Sequence, residues 1–367
     1  MKKLTICHFS SAHPADDIRI FHKECVSLAE EGHNVYLVTA QSDNQPHKGV
    51  QLVSADSPKR GRLGRMIFTA REVYKKAKSL NADVYHFHDP ELLRFAGRLR
   101  RSGKMVIYDA HEDLPRQILG KEYLRFKKTV AKVIEWYEDS VARKVNFVIT
   151  ATPFIAERFK KINSNTLDIN NFPLLSEIDV QDSENNRDPK KICFIGNISR
   201  IRGIQELVQS LEGTDAYLDL AGTIPDDFRV SLEQLASWKN VNPLGYIDRK
   251  QSLVIKANAS AGIVTFLPLP NHINAQPNKI FEYMASGLPV IGSNFPLWKE
   301  IIEKNECGVC VDPLDPADIR RGIQFILNNP VKAREMGERG KKMVLEKYNW
   351  NAEAKKLKEL YLNLKNQ

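Results

Sequence analysis

The stretch from 261 to 293, AGIVTFLPLPNHINAQPNKIFEYMASGLPVIGS, decides the fold. AGIVTF and LPVIG are short, largely β-branched apolar runs, and the helix between them is delimited by its own residues. Pro277 suits a first turn, where its missing N–H costs nothing, and Gly287 followed by Leu288 and Pro289 suits the stop. The helix is therefore predicted from Asn278 to Ser286. Ile280, Phe281, Met284 and Ala285 recur at helical spacing and form a buried face, which gathers Asn278, Lys279, Glu282 and Ser286 on the other. Parallel sheets bind ligands beyond the carboxyl ends of their strands, and this helix begins just after such an end. Its first N–H groups and Lys279 thus face a crevice of positive potential suited to phosphate. Glu282 reads either as half of a solvated i,i+3 ion pair or as a ligand-binding carboxylate.

The same alternation fills the chain. KLTICHF, NVYLVTA, DVYHFH, KMVIYDA and NFVITA read as strands separated by amphipathic helices. The polar run LLSEIDVQDSENNRDPK then reads as a linker, after which KICFIG, AYLDLAG, AGIVTF, LPVIG and GVCV supply a second sheet. The fold class expected is α/β with two doubly wound Rossmann-like domains, residues 1–172 and 190–350, joined by a linker at 173–189. At 367 residues the chain exceeds what one core usually serves, which agrees with two domains.

Composition narrows the class. The formal charge is +9, and residues 1–175 hold all of it, with 29 Lys and Arg against 20 Asp and Glu, while the remainder has 25 of each. No apolar run is long enough to span a bilayer, and MKKLTICHFSS has too short an apolar stretch for a signal peptide, so a cytoplasmic first strand is expected. Cys7, Cys25, Cys193, Cys307 and Cys310 are odd in number and scattered, which argues for a reducing compartment and core packing. FSSAHPADD after the first strand has no glycine, and no P-loop occurs, which disfavours nicotinamide dehydrogenases and nucleoside triphosphatases. His86, His88, Asp89, His111 and Asp113 admit a metal reading, set against the fact that adjacent sheet ends bring such groups together anyway. Aromatic platforms interleaved with cations are not evident, so no nucleic-acid partner is expected.

Several motifs in order, SAHPADDIRIFHKECVSLAEEGHNVYLVTA, HFHDPELL, VIYDAHEDLP, FIGNISRIRGI, LGYI and PNKIFEYMASGLPVI, resemble the family 4 retaining nucleotide-sugar glycosyltransferases over nearly the whole chain. The resemblance implies the GT-B fold, two Rossmann-like domains facing an interdomain cleft, with the last helix, at 351–367, crossing back onto the first domain. It implies a glycosyltransferase of the type that builds bacterial cell-surface polysaccharide, using a UDP-sugar rather than a GDP-sugar and a glycan or lipid-linked acceptor. Neither a cofactor nor a metal is expected, since cations and a helix start would neutralise the leaving diphosphate.

Residue by residue, Glu282 matches the glutamate that in similar proteins bonds the donor ribose, and the glutamate seven positions before it falls at Asn274 here. Gly196 and Asn197 stand where the family has Gly-Arg, and Arg202 with Gly203 where it has Lys-Gly, which makes Arg202 the main diphosphate cation and Lys279 a second. Gly245, Tyr246 and Ile247 are expected at the base, with Tyr246 equally readable as a core aromatic, and Asn278 belongs to the same donor site. His111 matches a histidine near the reaction centre, and His13, His88, Asp89 and Glu112 are expected on the acceptor side. A sugar-nucleotide epimerase, or a binding protein weakened by Asn197 and Asn274, stays the alternative. The basic first domain, with eight cations and one acid from Lys59 to Lys78, suggests an anionic membrane surface as a further partner.

Overall fold

The computed structural model describes residues 3–120, 124–177 and 187–364. The chain divides into two compact units, one comprising 1–171 with the C-terminal segment from Trp350, the other Phe172–Asn349.

In the first unit the strands are Thr5–Phe9 (β1), Asn34–Thr39 (β2), Pro46–His47 (β3), Val50–Ser54 (β4), Val84–Phe87 (β5), Met105–Ala110 (β6), Phe147–Thr150 (β7) and Thr166–Asp168 (β8). They form one sheet in the order β3-β4-β2-β1-β5-β6-β7-β8, parallel except for the β3–β4 pair. Successive strand residues point to opposite faces. Cys7, Phe9, Tyr85, Phe87, Val106 and Tyr108 join the helix Ala70–Ser79 residues Val73 and Ala77 in one apolar core. His8, His86 and Asp109 have the other parity, on the face where the helical run Ile18–Glu30 meets the C-terminal helix Trp350–Leu364. Trp350 fixes that meeting by donating its indole N–H to Ser27 Oγ at 2.9 Å.

The second unit contains Lys191–Ile195 (β9), Tyr217–Ala221 (β10), Val241–Gly245 (β11), Ala261–Val264 (β12), Val290–Ser293 (β13) and Gly308–Val311 (β14), all parallel, in the order β11-β10-β9-β12-β13-β14. Both faces are dry. Ile192, Phe194, Ile263 and Ile291 pack into one cluster with the helices Ile204–Ser210 and Pro316–Asn328. Cys193, Val264 and Val290 pack into the other with the helix Asn278–Ala285 and the helix Pro296–Ile302.

Several expectations are corrected. The first unit ends at Asn171, because Phe172 packs on Phe281 and Tyr348 of the second. Of the expected linker 173–189, residues 178–186 lie outside the described residues, and Arg187 donates to the carbonyls of Ser286 and Gly287, so that end is fastened to the second unit. Trp350 opens the last helix rather than closing the second domain, and residues 365–367 of the expected helix 351–367 lie outside the described residues. The strands β3, β4, β8 and β11 were not read from the sequence; β3, β8 and β11 are short or polar. All five cysteines are free. No described helix is long and apolar enough to cross a membrane.

Candidate active site

Each sheet reverses its winding beside its first strand, β1 next to β5 in the first unit and β9 next to β12 in the second. The carboxyl ends of those neighbouring strands open the crevice in which doubly wound sheets hold ligands. The two candidate sites lie there.

In the second unit Gly196 follows β9 with φ of 142°, and a Cβ on it would come within 2.1 Å of Lys279 Cε. Only glycine lets the Lys279 ammonium lie across the strand end. Gly203, with φ of 69°, follows Arg202, and a Cβ there would meet the Thr265 carbonyl at 1.9 Å, so the turn carrying Arg202 presses on the segment leaving β12. The Arg202 guanidinium rests 3.9 Å from the centroid of Phe266 in that segment. Both expected cations are thus set beside the β9 and β12 ends. Burial, with Arg202 adding its charge, lowers the Lys279 pKa from the ordinary lysine value against the opposing pull of Glu282.

The helix Asn278–Ala285 starts at Pro277 as its cap residue and ends one residue short of the expected Ser286. Gly287 takes φ of 65°, its N–H reaching the Met284 carbonyl and the Leu288 N–H the Tyr283 carbonyl, which closes the helix. Asn278 is exposed while Lys279 and Glu282 are half-buried. Tyr283 joins Ile280, Phe281, Met284 and Ala285 on the buried face, and its hydroxyl accepts from the Ile195 N–H at 3.0 Å, tying the helix to β9. Asn274 lies half-buried in a turn pinned by Trp298, which donates to the Ala275 carbonyl at 2.8 Å. Thr265, Asn271 and Gln276 each leave a buried side-chain oxygen without a hydrogen bond. Gly245 ends β11 and accepts from the Gly222 N–H at 2.7 Å, which sets it in line with Gly196 through the Ala221 carbonyl. Tyr246 is 85% exposed, which removes the core-aromatic reading; Ile247 is half-buried and Asn197 exposed.

In the first unit Asp89 follows β5 and gathers the loop after β1, accepting from Ser10 Oγ at 2.9 Å, Ser11 Oγ at 3.2 Å and the Ala12 N–H at 3.2 Å. That places His13 between Asp17, at 3.1 Å, and Asp89, at 3.7 Å. Burial works against a proton on His13, but the Asp17 bond and the charge of Asp89 outweigh it and raise its pKa. His111, at the end of β6, has its ring 5.1 Å from that of His13 and its Nε2 3.0 Å from Asp109 Oδ2. His88 Nδ1 lies 3.2 Å from the same carboxylate oxygen. His13, His88, Asp89 and His111 are thus brought together. Glu112 is not: it is exposed and bonded by Gln117, because the chain turns into the helix Leu114–Leu119 immediately after it.

The grouping His86, His88, Asp89, His111 and Asp113 does not form. Asp113 caps the helix Leu114–Leu119 and pairs with Arg158, and Asp89 is spent on the β1 loop. The described residues give two other groups with metal-ligand chemistry, His88 with Asp109 and His111, and His8 with Glu24, His86 and His88. The sequence reading missed Arg19, Glu24 and Asp109, the buried charges beneath the site. Arg19 donates to both Asp109 oxygens, at 3.1 and 3.0 Å, and to the Ile169 carbonyl at 2.7 Å. Burial would raise the Asp109 pKa, but Arg19 and His111 hold it well below the usual carboxylate range. The available signal was an aspartate inside the apolar strand VIYDA, two residues from His111 and therefore on its face.

The sequence profile described as "Glycosyltransferase Family 4" matches residues 20–166, and that described as "Glycosyl transferases group 1" matches 176–343. The D-rhamnosyltransferase WbpZ of Pseudomonas aeruginosa is 23% identical over 353 residues, 91% of this chain and 89% of that protein. Among solved structures, a sucrose-phosphate synthase from Thermosynechococcus elongatus superposes with a TM-score of 0.81 at 19% identity, covering 99% of each chain. Anabaena HepE in complex with UDP-glucose superposes at 0.74 with 14% identity, covering 98% of this chain and 100% of that one.

Proposed function

We propose, for a chain that belongs to the family 4 glycosyltransferases and has their GT-B fold, that it moves a sugar with retention from a UDP-sugar to a glycan or lipid-linked acceptor of a cell-surface polysaccharide. The observation that carries this is the pair of cations at the second unit's switch point, Lys279 laid across Gly196 and Arg202 set on Phe266, beside the helix that presents Glu282. HepE, of the same fold, holds UDP-glucose in a solved structure. WbpZ is named a rhamnosyltransferase.

In this reading Arg202, Lys279 and the start of the helix Asn278–Ala285 take up the charge of the departing diphosphate, without a metal. Glu282 bonds the ribose hydroxyls, Gly245, Tyr246 and Ile247 lie against the base, and Asn274 with Asn278 serves the sugar side. His111, held by Asp109, addresses the reacting sugar, and His13, His88 and Asp89 shape the acceptor side. The test is thermal unfolding with a panel of nucleotide sugars. A ligand at a hundred times its dissociation constant adds about 2.7 kcal/mol, so the preferred UDP-sugar gives a clear rise in melting temperature; equal shifts with UDP- and GDP-sugars sink the donor assignment.

In the same reading the first unit docks on an anionic membrane, and its surface supports this. Leu63, Ile67 and Phe68 are exposed on the helical segment Arg62–Thr69, and Phe126, Val133 and Trp136 at and along the helix Lys127–Ala142. Arg94 donates to the carbonyls of Met66 and Ile67 and acts electrostatically on Tyr137, which links the two segments. Around them Arg62, Arg71, Lys75, Lys76 and Lys78 are exposed, while Arg60 and Arg65 are paired with Glu72 and Glu91. Residues 121–123 of the basic segment lie outside the described residues. Each cation near an anionic surface contributes about 1 kcal/mol. Co-sedimentation with anionic vesicles should weaken with salt and fall when Arg62, Lys75 and Lys76 become glutamine; equal binding to neutral vesicles rules the surface out.

A further inference from the structure

We propose that His8, Glu24, His86 and His88 form a buried site for one divalent transition-metal cation of the zinc type, which braces the first unit and touches no substrate.

The sheet register builds the ligand set. His8 on β1 pairs directly with His86 on β5, and His88 lies two residues on, so the three imidazoles share one face. Glu24 comes from the helical run laid over that face. All four side chains are at most 2% exposed. Their ligand atoms lie within 4.8 Å of one another, with His8 Nδ1 3.0 Å from His88 Nε2 and Glu24 Oε2 3.9 Å from both His8 Nδ1 and His86 Nε2. A tetrahedron of zinc-length bonds sets its corners about 3.3 Å apart, so small rotations of these side chains complete the shell.

Three independent features point to a cation rather than a chain of hydrogen bonds. Two of the three outward nitrogens are already held as metal-binding histidines hold theirs, His88 Nδ1 3.2 Å from the Asp109 carboxylate and His86 Nδ1 3.0 Å from the Tyr361 hydroxyl, while His8 Nε2 has no hydrogen bond. With a proton on each of those two Nδ1 atoms, the Nε2 lone pairs of both rings face the centre of the cluster. The inner atoms are left wanting, since His86 Nε2 and Glu24 Oε2 are buried without a hydrogen bond, Glu24 Oε1 being the oxygen that meets Arg19. Geometry completes the case. Arg19 meets Asp109 at 3.0 Å and Glu24 through Oε1 at 3.1 Å, which leaves Glu24 Oε2 on the histidine side.

Such an ion ties β1, β5 and the helical run Ile18–Glu30 together, and through His88 and Asp109 it orients His111 from behind. The inference stands on this cluster alone and not on the donor reading. Elemental analysis of the full-length protein, produced without a histidine tag in zinc-supplemented culture, should give stoichiometric zinc. Unfolding in chelator and refolding should remove it, and added Co2+ should then give the visible absorption of a tetrahedral site and raise the melting temperature. His86→Gln and Glu24→Gln should each abolish metal uptake, with a circular-dichroism spectrum and melting profile matching those of the metal-free refolded wild type as the control that the first unit has folded. Trace metal in the supplemented wild type, with no response of the refolded protein to Zn2+ or Co2+, overturns the proposal. Stoichiometric metal that survives both substitutions also overturns it, because the ion is then bound elsewhere.

Discussion

The two sheets share a winding scheme but place their charges at opposite depths. The first unit buries Arg19, Glu24 and Asp109 with three histidines under two helices, whereas the second packs both faces of its sheet mainly with apolar side chains, buried Asp219, paired with Lys191, being an exception, and sets Arg202, Lys279 and Glu282 half-exposed at the strand ends. A charge deep in a core must be answered by its neighbours in every folded molecule, so it specifies geometry. One at the rim can leave part of its demand to a ligand. Substitutions in the first set should therefore be read in stability and in the second in binding and turnover.

The largest effect is expected at Arg19. Arg19→Met leaves Asp109 and Glu24 buried without their guanidinium, and breaking a buried pair in this way costs about 3–5 kcal/mol. Urea unfolding should show the first unit lost early while UDP still protects the second. An unchanged midpoint would mean that the buried network is not what holds the first sheet and its helices together, and the contrast between the units would fail.

Next comes Arg202. Removing one preorganised cation from the leaving group lowers turnover on the order of 100-fold, and Arg202→Ala should do so without moving the melting temperature. On its proposed ribose role, Glu282→Gln should cost one charge-assisted contact, about 1.5 kcal/mol or roughly tenfold in affinity. If either variant unfolds the second unit, or keeps wild-type kinetics with the preferred donor, the rim is structural and the division drawn above is wrong.

What the sequence disclosed follows the same division. The helix at 278 and its stop were legible because proline, glycine and an apolar stripe act locally, and the switch-point residues were legible because they stand directly after β-branched runs. Tyr283 was not, since its burial depends on the approach of β9 and of Gly262, where a Cβ would lie 2.3 Å from its ring. Arg19 and Glu24 were not either: what answers their burial is the pairing of Arg19 with Asp109, 90 residues away, and of Glu24 with Arg19. Glu112 erred the other way, since adjacency to His111 in sequence carries no weight once the backbone turns.

The smallest effect sharpens the account of the rim. Burial together with the charge of Arg202 lowers the Lys279 pKa from 10.5, while Glu282 pulls the other way. A diphosphate is held by the ammonium and not by the amine. Affinity for UDP should therefore be full below the Lys279 pKa and decline as pH rises through it, at lower pH than an ordinary lysine would impose. Lys279→Arg keeps its proton throughout that range, so the ratio of variant to wild-type affinity should climb with pH, and the ionisation of UDP itself, common to both proteins, cancels in that ratio. Titration calorimetry at several pH values up to 10 measures it. A ratio independent of pH would show that Lys279 does not meet the diphosphate, leaving Arg202 and the helix start to hold it.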